Sequence, residues 1–308
     1  MPSVEIEHDL NLSPELPEDI EKIAIEHGEY KETTQETILE HLNEFVIFSE
    51  HDDCQPYRLD DEYLIKFLRV RYWKIEASYK LLCNYYKFRD QNKSYYEKVR
   101  PFDLEFLGEN DILSATPYRD QHGHRIIIYR FGVWKPSQVS VDDIFRASIV
   151  LLELGSLEPI AQVMGGVAIF DLKDLSLNHV FHLSPSVAQK MIALLVTSMP
   201  IRTAALHIVN QNWAFSVAFN MFKPFLDAAM KEKLFIHGAD MSSLHEHISP
   251  EHLPKRLFKD HIEFNFWIYG LLNFWAYNFT SEILVDKFIF LYLQFYILCK
   301  RQDYALIN

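Results

Sequence analysis

Ile201–Met230, IRTAALHIVNQNWAFSVAFNMFKPFLDAAM, decides how this chain folds. Ala204–Val209 has the length and branching of a buried strand, Asn210-Gln211-Asn212 is a polar turn, and apolar residues recur at helical spacing from Trp213 onward. The helix carries two apolar faces instead of one stripe. Ala214, Phe215, Ala218, Phe219, Phe222 and Leu226 fall on one side, and Trp213, Val217, Met221 and Phe225 on another, interrupted by Ser216, Asn220 and Lys223. Such a helix is either buried all round in a core or is a lid, with one face closing an apolar cavity and the other meeting a membrane.

Upstream, the same alternation repeats. Ile126–Phe131 is a β-branched run after the turn Arg119–His124, and Asp142–Leu157 is helical. Val163–Phe170 is a strand with Gly165-Gly166 at its start, and Ser184–Ser198 is a helix opened by Ser184-Pro185. Strand and helix in alternation predict an α/β layer with helices against a mostly parallel sheet. Residues 13–100 instead predict helices throughout: one from Ser13-Pro14-Glu15 to His27-Gly28, then Thr34–Phe48, one opening at Asp60-Asp61-Glu62, and Lys74–Asp90. Between Pro101 and Leu113 the periodicity lapses, which marks a linker. The expected organisation is an acidic flexible tail over 1–12, a helical unit over 13–100, an α/β domain over 101–256 and an aromatic tail over 257–308.

The net charge of −13 is unevenly spread. Residues 1–62 hold 19 acidic and three basic residues, whereas the remainder holds 24 acidic and 27 basic. The basic footprint of a nucleic-acid binder is missing. Cys54, Cys83 and Cys299 have no metal-ligand spacing and suggest idle thiols in a reducing compartment. With no basic and apolar leader at the N-terminus, a cytoplasmic protein is expected.

The sequence points away from covalent chemistry. It has nine glycines but no G-x-G-x-x-G, Walker A or G-x-S-x-G motif. His245, His247 and His252 with Glu246, and likewise His122 and His124, are expected as exposed loop residues and not as a metal site. His182 and His207 are expected as hydrogen-bonded core histidines. Glu153 and Asp171 sit in apolar segments, where a carboxylate needs a partner. They are assigned structural roles at a strand end or against Arg146, because no nucleophile or oxyanion donor accompanies them. Catalytic residues, metal and cofactor are therefore all expected to be absent. Phe145, Ile149, Leu152, Phe170, Leu175, Leu183, Met191, Leu194, Leu195, Met199 and Leu206 supply more apolar volume than a sheet core needs, and either core packing or a ligand pocket would use it.

Several motifs resemble the CRAL-TRIO (Sec14-like) lipid-binding family, in particular its tocopherol-transfer and retinaldehyde-binding branch. They are Phe67-Leu68-Arg69-Val70-Arg71, Asn84-Tyr85-Tyr86-Lys87, Gly166–Leu172, Leu183-Ser184-Pro185-Ser186, Leu206–Asn210, Phe222-Lys223-Pro224-Phe225-Leu226 and Ile236-His237-Gly238. They occur in family order across about residues 20–256. The resemblance implies a helical CRAL-TRIO-N unit and an α/β lipid cage closed by a mobile gate helix at Asn212–Met230. The pocket would be lined by Phe145, Leu152, Phe170, Leu175, Leu183, Met191, Leu194, Leu195, Met199 and Leu206. Phe215, Phe219, Phe222 and Leu226 would form the gate. It further implies a non-enzymatic, monomeric carrier of a tocopherol, retinoid, carotenoid or related lipid, in transient contact with anionic membranes. Arg71, Arg202 and Lys233, helped by Lys223 and Lys231, would dock phosphatidylinositol phosphates, although Ala204 and Ala229 stand where the family pattern is basic. The alternatives are a phosphoinositide-sensing regulator and a lipid-modifying enzyme.

The resemblance ends after Leu253-Pro254-Lys255-Arg256. The aromatic tail is interrupted by Glu263, Asn265, Asn273, Asn278 and Asp286-Lys287, and Phe288–Cys299 is only 12 residues long, too short to span a bilayer. It is taken as an isoform-specific or aberrant tail in preference to an interfacial membrane segment.

Overall fold

In the computed structural model, residues 12–29, 33–48, 58–97, 99 and 101–254 are described. The acidic N-terminal tail, except Leu12, and the aromatic C-terminal tail lie outside them. The helical unit comprises α1 (Glu18–Glu26), α2 (Thr33–Phe48), α3 (Asp61–Val70) and α4 (Ile75–Gln91). α1 starts at Glu18 and not at Ser13, because Pro17 bars Leu16 from helical backbone and itself sits at φ −54°, ψ 148°. Its end at Gly28 uses a φ of +100°. Asp60 caps α3 by accepting the Tyr63 N–H at 3.1 Å.

The expected linker holds short helical turns instead: a 3₁₀ turn at Pro101–Leu104 and α5 (Glu105–Glu109). There follow β1 (Leu113–Arg119), β2 (Arg125–Arg130), α6 (Val141–Gly155), α7 (Pro159–Met164), β3 (Gly166–Asp171), α8 (Leu177–Phe181), α9 (Pro185–Ile192), β4 (Thr203–Val209), α10 (Trp213–Phe222), α11 (Ala228–Glu232), β5 (Leu234–Gly238) and α12 (Met241–His245). The strands lie in the order β1-β2-β3-β4-β5, with β1 antiparallel to β2 and the other pairs parallel. This is the α/β architecture expected from the alternation.

Three boundaries differ from expectation. The strand expected from Val163 begins at Gly166, because α7 occupies Pro159–Met164 and Gly165 turns the chain at φ +88°, where a Cβ would collide with the Arg202 carbonyl. The helix expected through Ser198 ends at Ile192 and continues as a π-helical turn, Ala193–Ser198. The expected gate helix is broken: after α10 come a 3₁₀ turn at Lys223–Phe225 and an extended Leu226, since Pro224 cannot continue an α-helix.

Alternation along the strands separates the two sheet faces. Ile126, Ile128, Val167, Ile169 and Val209 pack with Leu244, Ile248 and Leu253 on one side. Ile127, Tyr129, Ala168 and Leu206 face the other side and join the helical unit's Leu64, Phe67, Leu81 and Tyr85 in one continuous core. On the first face, fully buried His207 bonds through Nδ1 to Nε2 of His237 at 2.8 Å, linking β4 to the edge strand β5. Burial, reinforced by His237 and His247, lowers the His207 pKa to about 3, and burial also lowers that of His237. An unfolded histidine takes up its proton near pH 6.5, whereas folded His207 stays neutral, so stability is fully present above about pH 6.5 and is lost as pH falls toward 3. Urea denaturation between pH 7.5 and 5.5 should show a loss of about 1 kcal/mol, which His207→Asn flattens.

Candidate functional site

The cavity-bearing face of the sheet has an aromatic floor. Phe170 stacks on Tyr129 with centroids 5.0 Å apart and on Phe131 at 6.1 Å. Over the end of this floor α8, α9, the π-helical turn and α10 enclose a cavity of about 120 Å³. Its walls include Phe131, Trp134, Phe170, Leu172, Leu175, Leu183, Met191, Ile192, Leu195, Leu206, Ile208 and Leu234, and its roof is Phe215, Ala218, Phe219, Phe222 and Leu226. Two smaller cavities, of about 20 and 50 Å³, continue along the same face, with Leu195 in the wall of all three.

Six of the ten sequence-expected pocket residues line the main cavity: Phe170, Leu175, Leu183, Met191, Leu195 and Leu206. All four gate residues, Phe215, Phe219, Phe222 and Leu226, line it as well. Phe145 and Leu194 border the 20 Å³ cavity and Leu152 the 50 Å³ cavity. Met199 is core, packed in the main cluster at 1% exposure, and borders none of the three.

Among the described residues, His179 is the only titratable side chain on the main cavity wall. Its Nδ1 accepts the Ser176 N–H at 2.9 Å, so the proton resides on Nε2 and donates to the Trp134 carbonyl at 2.8 Å. Both nitrogens are thus used within the protein. In the adjoining cavities Tyr129 donates to Ser148 Oγ at 3.1 Å, and burial pushes its pKa up to about 12. The phenol is neutral. A molecule in the main cavity meets hydrocarbon and aromatic rings, whereas the 50 Å³ cavity also has Arg125, Glu158, Arg202 and Thr203 in its wall.

The roof is fastened at one end. Asn212 caps α10 by accepting the Ala214 N–H at 2.9 Å, and its Nδ2 donates to the Leu175 carbonyl at 2.7 Å. At the other end lies the Pro224 break. Outward from the roof, Trp213 is 68% and Val217 45% exposed, and Phe181 at the end of α8 is 79% exposed. Large exposed apolar side chains beside the cavity roof are candidates for an interaction surface.

The expected docking residues divide into two sets. Arg71, Arg202 and Lys233 are half-buried neighbours: burial lowers the pKa of each, and Arg202 lowers those of Arg71 and Lys233 further. Arg202 lies over the Tyr72 ring at 4.6 Å and donates to the Val163 carbonyl, and Lys233 donates to the Thr203 carbonyl at 2.8 Å. Arg202 Nη1 is buried with no hydrogen-bond partner among the described residues. Tyr72 reaches this place through a left-handed backbone, φ 54°, at the end of α3. Lys223 and Lys231 are exposed on the gate side, and neither is among the charges acting on the three.

Other polar expectations need correction. Arg146 pairs with Asp143 at 2.8 Å and meets neither weighed carboxylate. Glu153 accepts from Tyr85 at 2.8 Å and faces Arg89 at 3.4 Å, while Asp171 ends β3 and accepts from Asn210 at 2.9 Å. His182 is exposed; the buried histidine of that segment is His179. His245, His247 and His252 are half-buried, with His247 against Phe235 at 4.3 Å and His252 bonded to the Arg119 carbonyl at 2.7 Å. No group of three or more metal-ligating side chains occurs among the described residues.

Comparison with known proteins agrees with this geometry. The family model of the CRAL/TRIO domain matches residues 109–257. Residues 109–257 are a CRAL/TRIO domain. The mouse alpha-tocopherol transfer protein-like protein is 34% identical over 197 residues, 64% of this chain but only 57% of that protein's length. Rat Clavesin-2 is 29% identical over 276 residues, covering 88% of this chain and 83% of that protein. Among solved structures, the crystal structure of Sfh5 superposes with a TM-score of 0.48 at 16% identity over 71% of this chain and 85% of that one, too slight a likeness to carry weight.

Trp134, Phe131, Ile208 and Leu234 belong to the cavity of this CRAL/TRIO domain, yet sequence reasoning missed them. Phe131 ends an expected strand, so its inward orientation was legible, whereas Trp134 lies in a turn without periodicity. Filling the cavity from its roof should close it: Ala218→Trp is expected to abolish uptake of Nile red, with Tm within about 5 °C of the parent protein. Unchanged dye uptake would place the dye elsewhere.

Proposed function

We propose that this protein is a non-enzymatic carrier that binds one hydrophobic small molecule, of the tocopherol, retinoid, carotenoid or related lipid class, and exchanges it at membranes. The observation that carries this reading is an apolar cavity roofed by a helix whose outer surface is itself apolar and exposed. The CRAL/TRIO match and the name of the tocopherol transfer protein-like relative support it. Burial of the lipid's apolar surface, at about 25 cal/mol per Å², supplies the affinity. A cavity of 120 Å³ is smaller than the roughly 300–1,000 Å³ that ligand sites occupy, so loading requires α10 to lift and the side chains around Leu195 to part. The Pro224 break and the Asn212 anchor suit such a swing. Because the main cavity offers no unengaged acid, base or nucleophile among the described residues, the bound molecule leaves unchanged in this reading.

In this reading the protein works in the cytoplasm and visits anionic membranes. Phe181, Trp213 and Val217 enter the interface, while Arg71, Arg202 and Lys233 meet an anionic head group such as that of a phosphoinositide, which relieves their mutual repulsion. No helix among the described residues is long and apolar enough to cross a membrane.

The test is transfer of α-tocopherol from the protein to vesicles. Phe181→Ser with Trp213→Ser should slow transfer about tenfold or more and leave equilibrium binding within about twofold, because each exposed ring contributes about 1.5 kcal/mol or more when it enters the interface. Equal losses of transfer and binding would make these residues structural. Arg71→Glu with Arg202→Glu should weaken binding to phosphoinositide-containing vesicles by about 1 kcal/mol or more per charge, with the difference shrinking at high salt. An empty cavity with tight head-group binding would instead identify a phosphoinositide-sensing regulator, and chemical turnover of the lipid an enzyme.

A further inference from the structure

A second cavity, of about 700 Å³, lies between the helical unit and α6. It shares no lining residue with the three cavities over the sheet. α6 is the wall between them: Ile149, Val150 and Glu153 face the second cavity, and Phe145, Ser148 and Leu152 face the others.

One cation of this cavity has no acceptor of its own among the described residues. Arg69 is held by Glu29 at 2.6 Å and by Gln162 at 2.9 Å, and Arg58 is paired with Asp60 at 2.6 Å. Arg89 donates to Tyr85 at 2.7 Å and faces Glu153 at 3.4 Å. Glu62 is exposed at the rim. Lys66 is 4% exposed, lines the cavity, and makes no hydrogen bond or ion pair among the described residues. Its ammonium rests over the Tyr63 ring at 4.2 Å, with Phe67 at 5.4 Å and Tyr85 at 5.7 Å. Aromatic faces soften the cost of burying a cation but leave its N–H donors unused. A buried, hydrogen-bond-deficient ammonium is an expensive arrangement unless an anion completes it.

We propose that this cavity binds an amphiphilic carboxylate, with its head group on the Lys66 ammonium and its chain along Ile65, Val99, Ile149, Val150 and Leu157. One ammonium without a hydrogen-bonded acceptor selects a singly charged head group. The apolar wall beside it selects a chain-bearing acid over a free inorganic ion. The site is separate from the cavity under α10 and independent of the carrier reading.

Protonation of Lys66 provides a signature. Burial lowers its pKa to about 8, with Glu153 and Asp60 pulling it up and Arg58 and Arg89 pushing it down; Tyr63 and Tyr85 complete its surroundings. The ammonium is present below that value, so carboxylate affinity should fall as pH rises through about 8.

The experiment uses the full chain and sodium decanoate. Acetic anhydride labelling of the wild-type protein, read by peptide mass spectrometry, should show Lys66 protected about fivefold or more by saturating decanoate and unprotected by inorganic phosphate. Calorimetry should show the Lys66-dependent decanoate affinity falling about tenfold in Lys66→Gln and persisting in Lys66→Arg, whose binding stays flat through pH 9. Decanol binding should be the same in all three proteins. Equal Lys66 labelling with and without decanoate would overturn the proposal, as would equal protection by phosphate alone. If Lys66→Gln does not fold, the wild-type labelling experiment decides alone.

Discussion

In the proposed carrier, one sheet face must be covered by something that can be removed. Parallel strands bury both faces, and β2–β5 meet the first requirement conventionally, with Leu244, Ile248 and Leu253 packed on Ile126, Ile128, Val167 and Ile169. The opposite face carries the stacked Tyr129, Phe131 and Phe170, and part of its cover is α10, joined to the rest at Asn212 and interrupted at Pro224. Core packing and the proposed ligand binding draw on the same apolar surface there. The small volume of the closed cavity follows: side chains collapse onto an aromatic floor as far as rotamers allow.

A lid can loosen safely only if the scaffold around it is fixed by other means. Buried ion pairs do this at two seams. Arg69 joins Glu29 beyond α1 to Gln162 in α7, and Glu158, fully buried, accepts from Arg125 at 2.5 Å and Arg119 at 3.0 Å, binding β1 and β2 to the start of α7. Such pairs are weak contributors to net stability but costly to break, because the surviving partner is stranded in low dielectric. They specify register more than they add free energy. Neither seam touches α10.

Much of this was legible from residue spacing. The strand, turn and helix of Ile201–Met230, the sheet class and the cavity-facing side of α10 all follow from periods of 2 and 3.6, because burial on one face imposes those periods directly. The breaks were harder. Pro17 and Pro224 displaced helix ends that apolar spacing alone would have extended, and β1 and β5, the strands at the sheet edges, carry too little alternation to stand out. Polar partners were least legible: Glu153 meets Tyr85 and Arg89, and Arg69 meets Glu29, across sequence separations that no local pattern encodes. The signal that would have found His179 is Ser176-x-x-His179, a capping-box spacing with histidine in the acceptor position. The basic cluster depends on Tyr72 adopting a left-handed backbone, which the sequence does not announce.

The central claim is that the cavity beneath α10 holds one apolar molecule in the cell. Native mass spectrometry of the protein purified gently from a eukaryotic extract tests it most directly. The account predicts a single non-covalent lipid adduct per chain, released intact on collisional activation and absent when Ala218 is replaced by Trp. A chain that runs at its bare polypeptide mass, or an adduct that survives the Ala218 replacement unchanged, would contradict it.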